Sequence, residues 1–405
     1  MPDLLVTDIG SLVTNEASID GTPLGIIHDA AIAVTDGKVS WVGSRSEVKV
    51  SEHQNVVSAK GKTVIPGFVD SHNHLVFAGD RSIEFSARMQ GQPYAAGGIN
   101  YTVEQTRSAG NAELRANVAA LVAEGLTSGT TTVEIKSGYG LSVADELRSL
   151  EIAREFTEET TFLGAHVVPT EFKSAPDDYV AMVCGPMLEA VAPLAKWIDV
   201  FCDRGAFTPA QTRQILKAGI AKGLLPRLHA NQLEPGEGIK VGVELGAASV
   251  DHISHFDDSD IAALANSNTV ATFLPGAEFS TLSKFPDARP MFAADINVAI
   301  ASDCNPGSSY TTNMPLMIAL AVREMFFTPE QALWSATKGG ALALRRNDVG
   351  YLAVGAKADF SILSSASYLH LAYRPGVNLI EQVWRNGNQI SYQITEVVLG
   401  ISGLT

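Results

Sequence analysis

The middle of the chain alternates short apolar runs with longer amphipathic segments, and this alternation limits the possible folds more than any other feature. Segments such as "NAELRANVAALVAEG" and "TPAQTRQILKAGIAKG" have helical spacing, and in the second Thr208 and Pro209 supply an N-cap and a proline at the first helical position. The eight apolar runs are "VIPGFVDSH", "TTVEIKSG", "TFLGAHVVP", "WIDVFCD", "PRLHAN", "SVDHIS", "TVATFLP" and "NVAIASD". Strands that alternate with helices form parallel βα units, and eight units predict an α/β fold of the (β/α)8 TIM-barrel type. A doubly wound open sheet is the alternative, but no G-x-G-x-x-G follows the first strand.

The two ends of the chain have a different character from the middle. The first 65 residues read as strands, with a hairpin signal at Asp36-Gly37 in "AIAVTDGKVSWVG". The end of the chain has "ADFSILS" and then "LIEQVWRNGNQI" around Asn386-Gly387. Because chain termini often lie close together, we expect residues 1–65 and 351–405 to form one small β-sandwich and residues 66–350 to form the barrel.

Composition limits the partners of this protein. Asp and Glu outnumber Lys and Arg by 44 to 29, which gives a net charge of −15 and argues against general nucleic-acid or membrane-surface binding. A small anionic substrate remains compatible, since it needs only one local arginine. The three cysteines form no CxxC pair, which fits a reducing cytoplasm. We expect neither a signal peptide nor a membrane span, because no basic segment precedes an apolar core and no long apolar window occurs.

Polar residues gather at the C-terminal ends of the apolar runs. His72 and His74 are separated by one residue, so on an extended strand both rings point to the same side. In a barrel these strand ends share the face that carries the chemistry. Five of the nine histidines lie there with an aspartate, and the set is His72, His74, Lys136, Tyr139, His166, His229, His252 and Asp303.

This residue set suits a metal ion. Imidazole nitrogen and carboxylate oxygen are ligands for zinc or ferrous iron. Three histidines and one aspartate leave room for a water molecule, whose pKa a bound ion lowers to about 7 in favourable sites.

The chain resembles the amidohydrolase superfamily. The matching parts are "PGFVDSHNH", "ASDCNPG" and "GAKADFSIL", together with His229 and His252. More narrowly, it is similar to the imidazolonepropionase family, on "DSHNHLVFAGDR", "EIKSGYGL", "LGAHVVPTEF", "HANQ", "VDHIS" and "ASDCNPGS". The resemblance covers nearly the whole chain. It implies hydrolysis of the cyclic amide of 4-imidazolone-5-propanoate to N-formimidoyl-L-glutamate in histidine breakdown. We also expect a cytoplasmic homodimer.

The resemblance implies roles for individual residues. One zinc or iron ion per chain would be held by His72, His74, His229 and Asp303. Asp303 and His252 would be the catalytic residues. The implied substrate contacts are Arg81, Tyr139, His166, Gln232, Asn305, Gly307 and Ser308.

Gln232 departs from some relatives, which carry glutamate three residues after the histidine that corresponds to His229. Glutamine cannot shuttle a proton, which disfavours a deaminase that depends on this carboxylate. Lys136 is compared with the bridging lysine of two-metal relatives, but its place on the second strand favours a single ion. Structural roles stay open for three residues: Arg81 as a surface ion pair, Tyr139 as a loop cap and His166 as a partner of a backbone carbonyl. The other functions considered are an aminohydrolase acting on a heterocycle and a non-enzymatic scaffold that keeps the fold.

Overall fold

The structure is a computed structural model that describes residues 3–48, 55–91 and 98–390, so residues 391–405 of the predicted terminal domain lie outside the described part. The strands are β1 (Leu4–Val13), β2 (Ile26–Thr35), β3 (Lys38–Ser44), β4 (Val56–Ser58), β5 (Thr63–Pro66), β6 (Phe68–Asp70), β7 (Thr130–Val133), β8 (Ile135–Lys136), β9 (Thr160–Ala165), β10 (Trp197–Cys202), β11 (Leu225–Pro226), β12 (Leu228–Ala230), β13 (Ser249–His252), β14 (Val270–Phe273), β15 (Val298–Ile300), β16 (Phe360–Leu363), β17 (Ile380–Arg385) and β18 (Asn388–Gln389).

The helices are α1 (Ser82–Met89), α2 (Ile99–Ser108), α3 (Asn111–Thr127), α4 (Val143–Arg154), α5 (Pro176–Met182), α6 (Leu188–Val191), α7 (Pro209–Ala221), α8 (Gly238–Glu244), α9 (Asp258–Ala265), α10 (Pro275–Thr281), α11 (Arg289–Ala293), α12 (Met314–Glu324), α13 (Pro329–Trp334), α14 (Gly340–Ala343) and α15 (His370–Tyr373). These elements pack into two compact units. The terminal unit contains residues 1–70, 123–132 and 313–405, and the barrel unit contains residues 71–122 and 133–312.

The terminal unit contains one mixed sheet to which both ends of the chain contribute. Its strand order is β18-β17-β16-β5-β1-β2-β3, with β4 beside β1. Leu12, Ile32 and Phe360, from three different strands, belong to one buried apolar cluster of this sheet. Strands from both ends therefore share a sheet. The predicted two-layer sandwich and the predicted domain boundaries at residues 65 and 350 stay predictions.

Two tight turns of the terminal unit lie where the sequence predicts them. Asp36 and Gly37 have φ values of 51° and 71° between the paired residues Thr35 and Lys38. The turn at 386–387 likewise has φ values of 49° and 72°. Positive φ at both central positions matches the right-handed twist of the flanking strands, which explains the choice of Asp-Gly and Asn-Gly.

The barrel unit contains a parallel sheet in the order β15-β14-β13-β12-β10-β9-β8, with β11 beside β10. Residues 71–74 bond to both edges of this sheet. The Asp303 amide donates to the His72 carbonyl at 3.1 Å, and the Lys136 amide donates to the Asn73 carbonyl at 2.8 Å. The sheet therefore closes on itself, and the prediction of a TIM-barrel-like α/β fold is confirmed.

Strands β9, β10, β13 and β14 of the barrel unit are buried along their whole length, as expected when helices cover a parallel sheet. Helix α7 begins as predicted, with Pro209 as its first residue and with the Thr208 side chain accepting a hydrogen bond from the Gln211 amide. In such a barrel, polar side chains that follow the strands meet at one rim. Within the described ranges, no helix has the length and apolarity needed to cross a membrane.

Candidate active site and metal centre

Four predicted ligand side chains converge at this rim. His72 and His74 follow β6, His229 lies on β12, and Asp303 follows β15. The Nε2 atoms of His74 and His229 lie 3.2 Å apart, and Asp303 Oδ1 lies 3.6 Å from Nε2 of both His72 and His74. Ligand atoms around a tetrahedral zinc ion with bonds of about 2.0–2.1 Å are separated by roughly 3.3 Å. The observed separations therefore fit a shared metal ion.

His252 lies beside this cluster. Its ring centroid is 5.5 Å from that of His72 and 5.3 Å from that of His229, and one ring nitrogen from each of the three lies within 4.8 Å of the others. His252 and Asp303 both have positive φ, at 75° and 51°. Such backbone costs about 1–3 kcal/mol for residues other than glycine and is concentrated at functional sites. The strain places both side chains at the rim.

The protonation states suit metal binding. Burial lowers the pKa of His72, His74 and His252 well below the usual range, and neighbouring charges add to the effect. These three imidazoles are therefore neutral at pH 7, which is the form that binds a metal ion. The buried Nε2 atom of His72 has no hydrogen-bond partner among the described residues, and coordination of an ion would use its free lone pair.

A buried carboxylate and a buried cation stand behind His72. Asp251 Oδ2 lies 2.8 Å from His72 Nδ1, and Arg227 Nη2 lies 3.1 Å from the same oxygen. Burial opposes ionisation of Asp251, but the positive charges of Arg227 and Lys136 outweigh it and lower the pKa of this carboxyl. An ionised Asp251 accepts the Nδ1 proton of His72 and so turns the lone pair of Nε2 towards the cluster.

A second arrangement of the same kind stands behind His229. Asp199 Oδ2 lies 3.0 Å from His229 Nδ1 and 2.9 Å from Lys136 Nζ. Lys136 Nζ also lies 2.9 Å from Glu134 Oε1. Burial opposes ionisation of Asp199, yet its interactions with His229 and Lys136 hold its pKa well below the usual range. Lys136 therefore forms ion pairs with two buried carboxylates, those of Asp199 and Glu134.

The loop after β15 organises the rim around Asp303. Asn305 Oδ1 accepts hydrogen bonds from the Gly307 and Ser308 amides, both at 2.8 Å, and so closes a tight turn. The Ser308 hydroxyl donates to Asp303 Oδ2 at 3.3 Å. Burial raises the pKa of Asp303 well above its usual range, although hydrogen bonds from Asn305 and Ser308 act against it.

A pocket opens beside the cluster and contains most of the predicted substrate contacts. Gly307 does not line the pocket, although Asn305 and Ser308 of the same loop do. His72 is not a lining residue either. Ile99 and Phe201 line it without having been predicted. The described residues that line it are His74, Arg81, Ile99, Tyr139, His166, Phe201, His229, Gln232, His252, Asp303, Asn305 and Ser308.

Two of the structural roles that the sequence left open are observed. Arg81 forms an ion pair with Glu84, through Nε at 2.8 Å and Nη2 at 2.7 Å, yet its side chain is only 2% exposed and lines the pocket. His166 Nδ1 lies 2.9 Å from the Gly138 carbonyl oxygen, and burial lowers the pKa of His166 to about 3. In both residues a structural contact fixes a side chain that also faces the pocket.

Sequence reasoning missed the residues behind the ligands. Asp199 on β10, Asp251 on β13 and Arg227, which lies between β11 and β12, are all buried. A signal existed, since each charge interrupts an apolar run, as in "WIDVFCD" and "SVDHIS". Buried charges of this kind need partners, so such interruptions indicate internal ion pairs.

The fold resembles solved hydrolases. The atrazine chlorohydrolase from Arthrobacter aurescens complexed with zinc has a TM-score of 0.70 at 16% identity, covering 98% of this chain and 99% of that one. The guanine deaminase from C. acetobutylicum with bound guanine has a TM-score of 0.70 at 16% identity, covering 96% and 99%. At this identity the likeness concerns the fold.

Sequence relatives are far more similar. Residues 203–393 match the Amidohydrolase family. The imidazolonepropionase of Mycolicibacterium smegmatis is 59% identical over 98% of this chain and 100% of its own length. That of Salinispora arenicola is 61% identical over 96% of this chain and 98% of its own length. With this identity over almost the full length, and with the ligand cluster in place, the chain belongs to the imidazolonepropionase family of hydrolytic enzymes.

Proposed function

We propose that this chain hydrolyses the cyclic amide of 4-imidazolone-5-propanoate to N-formimidoyl-L-glutamate in histidine degradation. The observation that carries the proposal is the convergence of the His72, His74 and His229 imidazoles with Asp303 at the mouth of the barrel. The high identity to imidazolonepropionases supports the choice of substrate.

His72, His74, His229 and Asp303 would hold one ion, zinc or iron. Both metals accept imidazole nitrogen and carboxylate oxygen. When bound, the ion would lower the pKa of a water molecule and polarise the ring carbonyl. Asp251 and Asp199 keep His72 and His229 in the tautomers that such binding requires.

Asp303 accepts the proton of the attacking water and later gives it to the ring nitrogen as the C–N bond breaks. His252 donates a hydrogen bond to the water or to the oxygen that becomes negative. Gln232 binds the substrate but cannot act as an acid or a base, because its amide does not ionise.

Arg81 would hold the propionate of the substrate. A carboxylate that enters a protein of net charge −15 needs a local cation, and a guanidinium can supply paired N–H donors. Neutral donors and rings around it complete the site. The proposed contacts are Arg81, Tyr139, His166, Gln232, Asn305, Gly307 and Ser308.

The test combines metal analysis with product identification. Purified protein should contain one zinc or iron ion per chain, consume the imidazolone chromophore and release N-formimidoyl-L-glutamate, as identified by mass spectrometry. Stoichiometric ammonia from a heterocyclic amine, without ring opening, would instead indicate the aminohydrolase alternative. Two ions per chain, or full activity without metal, would contradict the single-ion proposal.

We also propose a cytoplasmic homodimer whose terminal unit folds as a β-sandwich. The three cysteines are free, which fits a reducing compartment. The apolar cluster shared by strands from both chain ends supports two packed layers. Light scattering on the purified protein tests the dimer directly.

A further inference from the structure

Helix α1 and the residue before it carry three charged side chains with helical spacing. Arg81, Glu84 and Arg88 follow one another at intervals of three and four residues, so they lie on one face. The Arg81 and Arg88 side chains are only 2% and 3% exposed, whereas Glu84 is 35% exposed. Glu84 accepts both Nε and Nη2 of Arg81, and this two-point contact fixes the plane of the guanidinium.

Arg88 connects this helix to helix α10 and to the loop that follows β15. Its Nη2 donates to the Gly307 carbonyl at 2.7 Å and lies 3.5 Å from Glu84 Oε1. Its Nη1 donates to the Ser280 carbonyl at 3.2 Å. One guanidinium thus ties the partner of Arg81 to the loop that contains Asn305 and Ser308.

Two glycines form a slot around the Arg81 guanidinium. A Cβ atom on Gly98 would lie 2.1 Å from Arg81 Nη2, and one on Gly307 would lie 2.2 Å from Nη1. Neither glycine is in the left-handed region, so a Cβ atom at these positions would disturb the system by displacing the guanidinium and not by straining the backbone. Glu84 therefore fixes the plane of the Arg81 guanidinium, and the backbone of Gly98 and Gly307 packs closely against it.

We propose that Glu84 and Arg88 are positioning residues for the substrate carboxylate. They hold Arg81 in the slot between Gly98 and Gly307 and thereby set where an anionic side chain binds and how strongly it is preferred. This inference rests on the proposed function, because it takes the propionate as the anion. The three side chains together carry one net positive charge, which favours an anionic partner in the adjoining pocket.

The first test is Glu84→Gln, which leaves a single oxygen acceptor and disrupts the two-point contact. We expect KM for 4-imidazolone-5-propanoate to rise about tenfold, with kcat nearly unchanged, metal content unchanged, and no effect on an analogue that lacks the carboxylate. If Glu84 merely competed with the substrate for Arg81, the variant would lower KM, and that result would overturn the proposal. Glu155→Gln is the matched control, because Glu155 accepts Nε and Nη2 of Arg115 and is also 35% exposed.

The second test is Arg88→Met, which removes the guanidinium but keeps an apolar stem. It should reduce the preference for the carboxylate-bearing substrate over the analogue by about tenfold, with metal content unchanged. Equal losses on both substrates would mean a purely structural role and contradict the proposal. Arg148→Met is the control, because Arg148 also binds two backbone carbonyls, those of Thr106 and Ala109. Should Arg88→Met fail to fold, the partly exposed Glu84 still gives a decisive result.

Calorimetric binding of imidazole propionate and ethylimidazole separates this inference from the proposed function, since neither probe needs turnover. If the wild type binds the propionate in preference and both variants lose that preference, the inference holds even when no hydrolysis is seen. If the wild type hydrolyses the substrate but the variants keep its preference, the inference alone fails.

Discussion

Ionisation of the buried residue Glu278 predicts a change in the free energy of unfolding with pH, and the size of this change follows from the shift of its pKa. Its carboxyl is 2% exposed, and burial raises its pKa from 4.5 to about 7, although a hydrogen bond from Ser254 acts against the rise. The folded protein therefore keeps a proton that the unfolded chain releases between these two values. The contribution of Glu278 to the free energy of unfolding therefore falls as pH rises through this window.

The size of the effect follows from the shift. At 1.36 kcal/mol per pKa unit, the difference between 4.5 and about 7 corresponds to about 3 kcal/mol. The term is fully present at low pH and lost as pH rises through the folded pKa. Glu278→Gln cannot ionise, so its stability relative to wild type should increase by about 3 kcal/mol from about pH 4.5 to about pH 8.

Denaturant unfolding followed by tryptophan fluorescence measures this difference at several pH values. Ser254→Ala is a useful companion, because loss of the hydroxyl should raise the pKa of Glu278 further and move the loss of stability to higher pH. A stability difference between Glu278→Gln and wild type that stays constant with pH would show that the buried carboxyl does not retain its proton.

Four further substitutions test the site. His229→Ala should abolish both metal content and turnover by elemental analysis and assay; retained metal would remove His229 from the ligand set. His252→Ala should keep the metal and lower kcat by about 10²–10⁴, and a wild-type kcat would refute its role. Arg81→Lys should raise KM for the propionate substrate but not for an analogue without the carboxylate; equal weakening of both would mean that Arg81 does not read the anion. Lys136→Met should lower the free energy of unfolding by about 3–5 kcal/mol, because Asp199 loses its buried cation, and an unchanged denaturation midpoint would exclude that ion pair.

The sequence predicted the part of the site that follows from local periodicity. The i, i+2 spacing of His72 and His74 and the polar ends of the apolar runs depend only on strand geometry and parallel arrangement. The partners of those residues depend on the register between strands. His229 pairs with Phe201 on one side and with Asp251 on the other, and only this register tells which carboxylate meets which histidine. The hydrogen bond from Arg88 to the Gly307 carbonyl was missed for a similar reason, because the two residues are 219 positions apart in the sequence.

The distribution of charge around the ligands indicates from which side the substrate approaches. His72 contacts Asp251, which also binds Arg227, and it does not line the pocket, whereas His74, His229 and Asp303 do. The buried ion pairs thus occupy the interior side of the cluster, where a further ligand has no room. A water molecule and the substrate carbonyl must reach the cluster from the pocket. The pocket side therefore has to provide the groups that move protons and bind the anion.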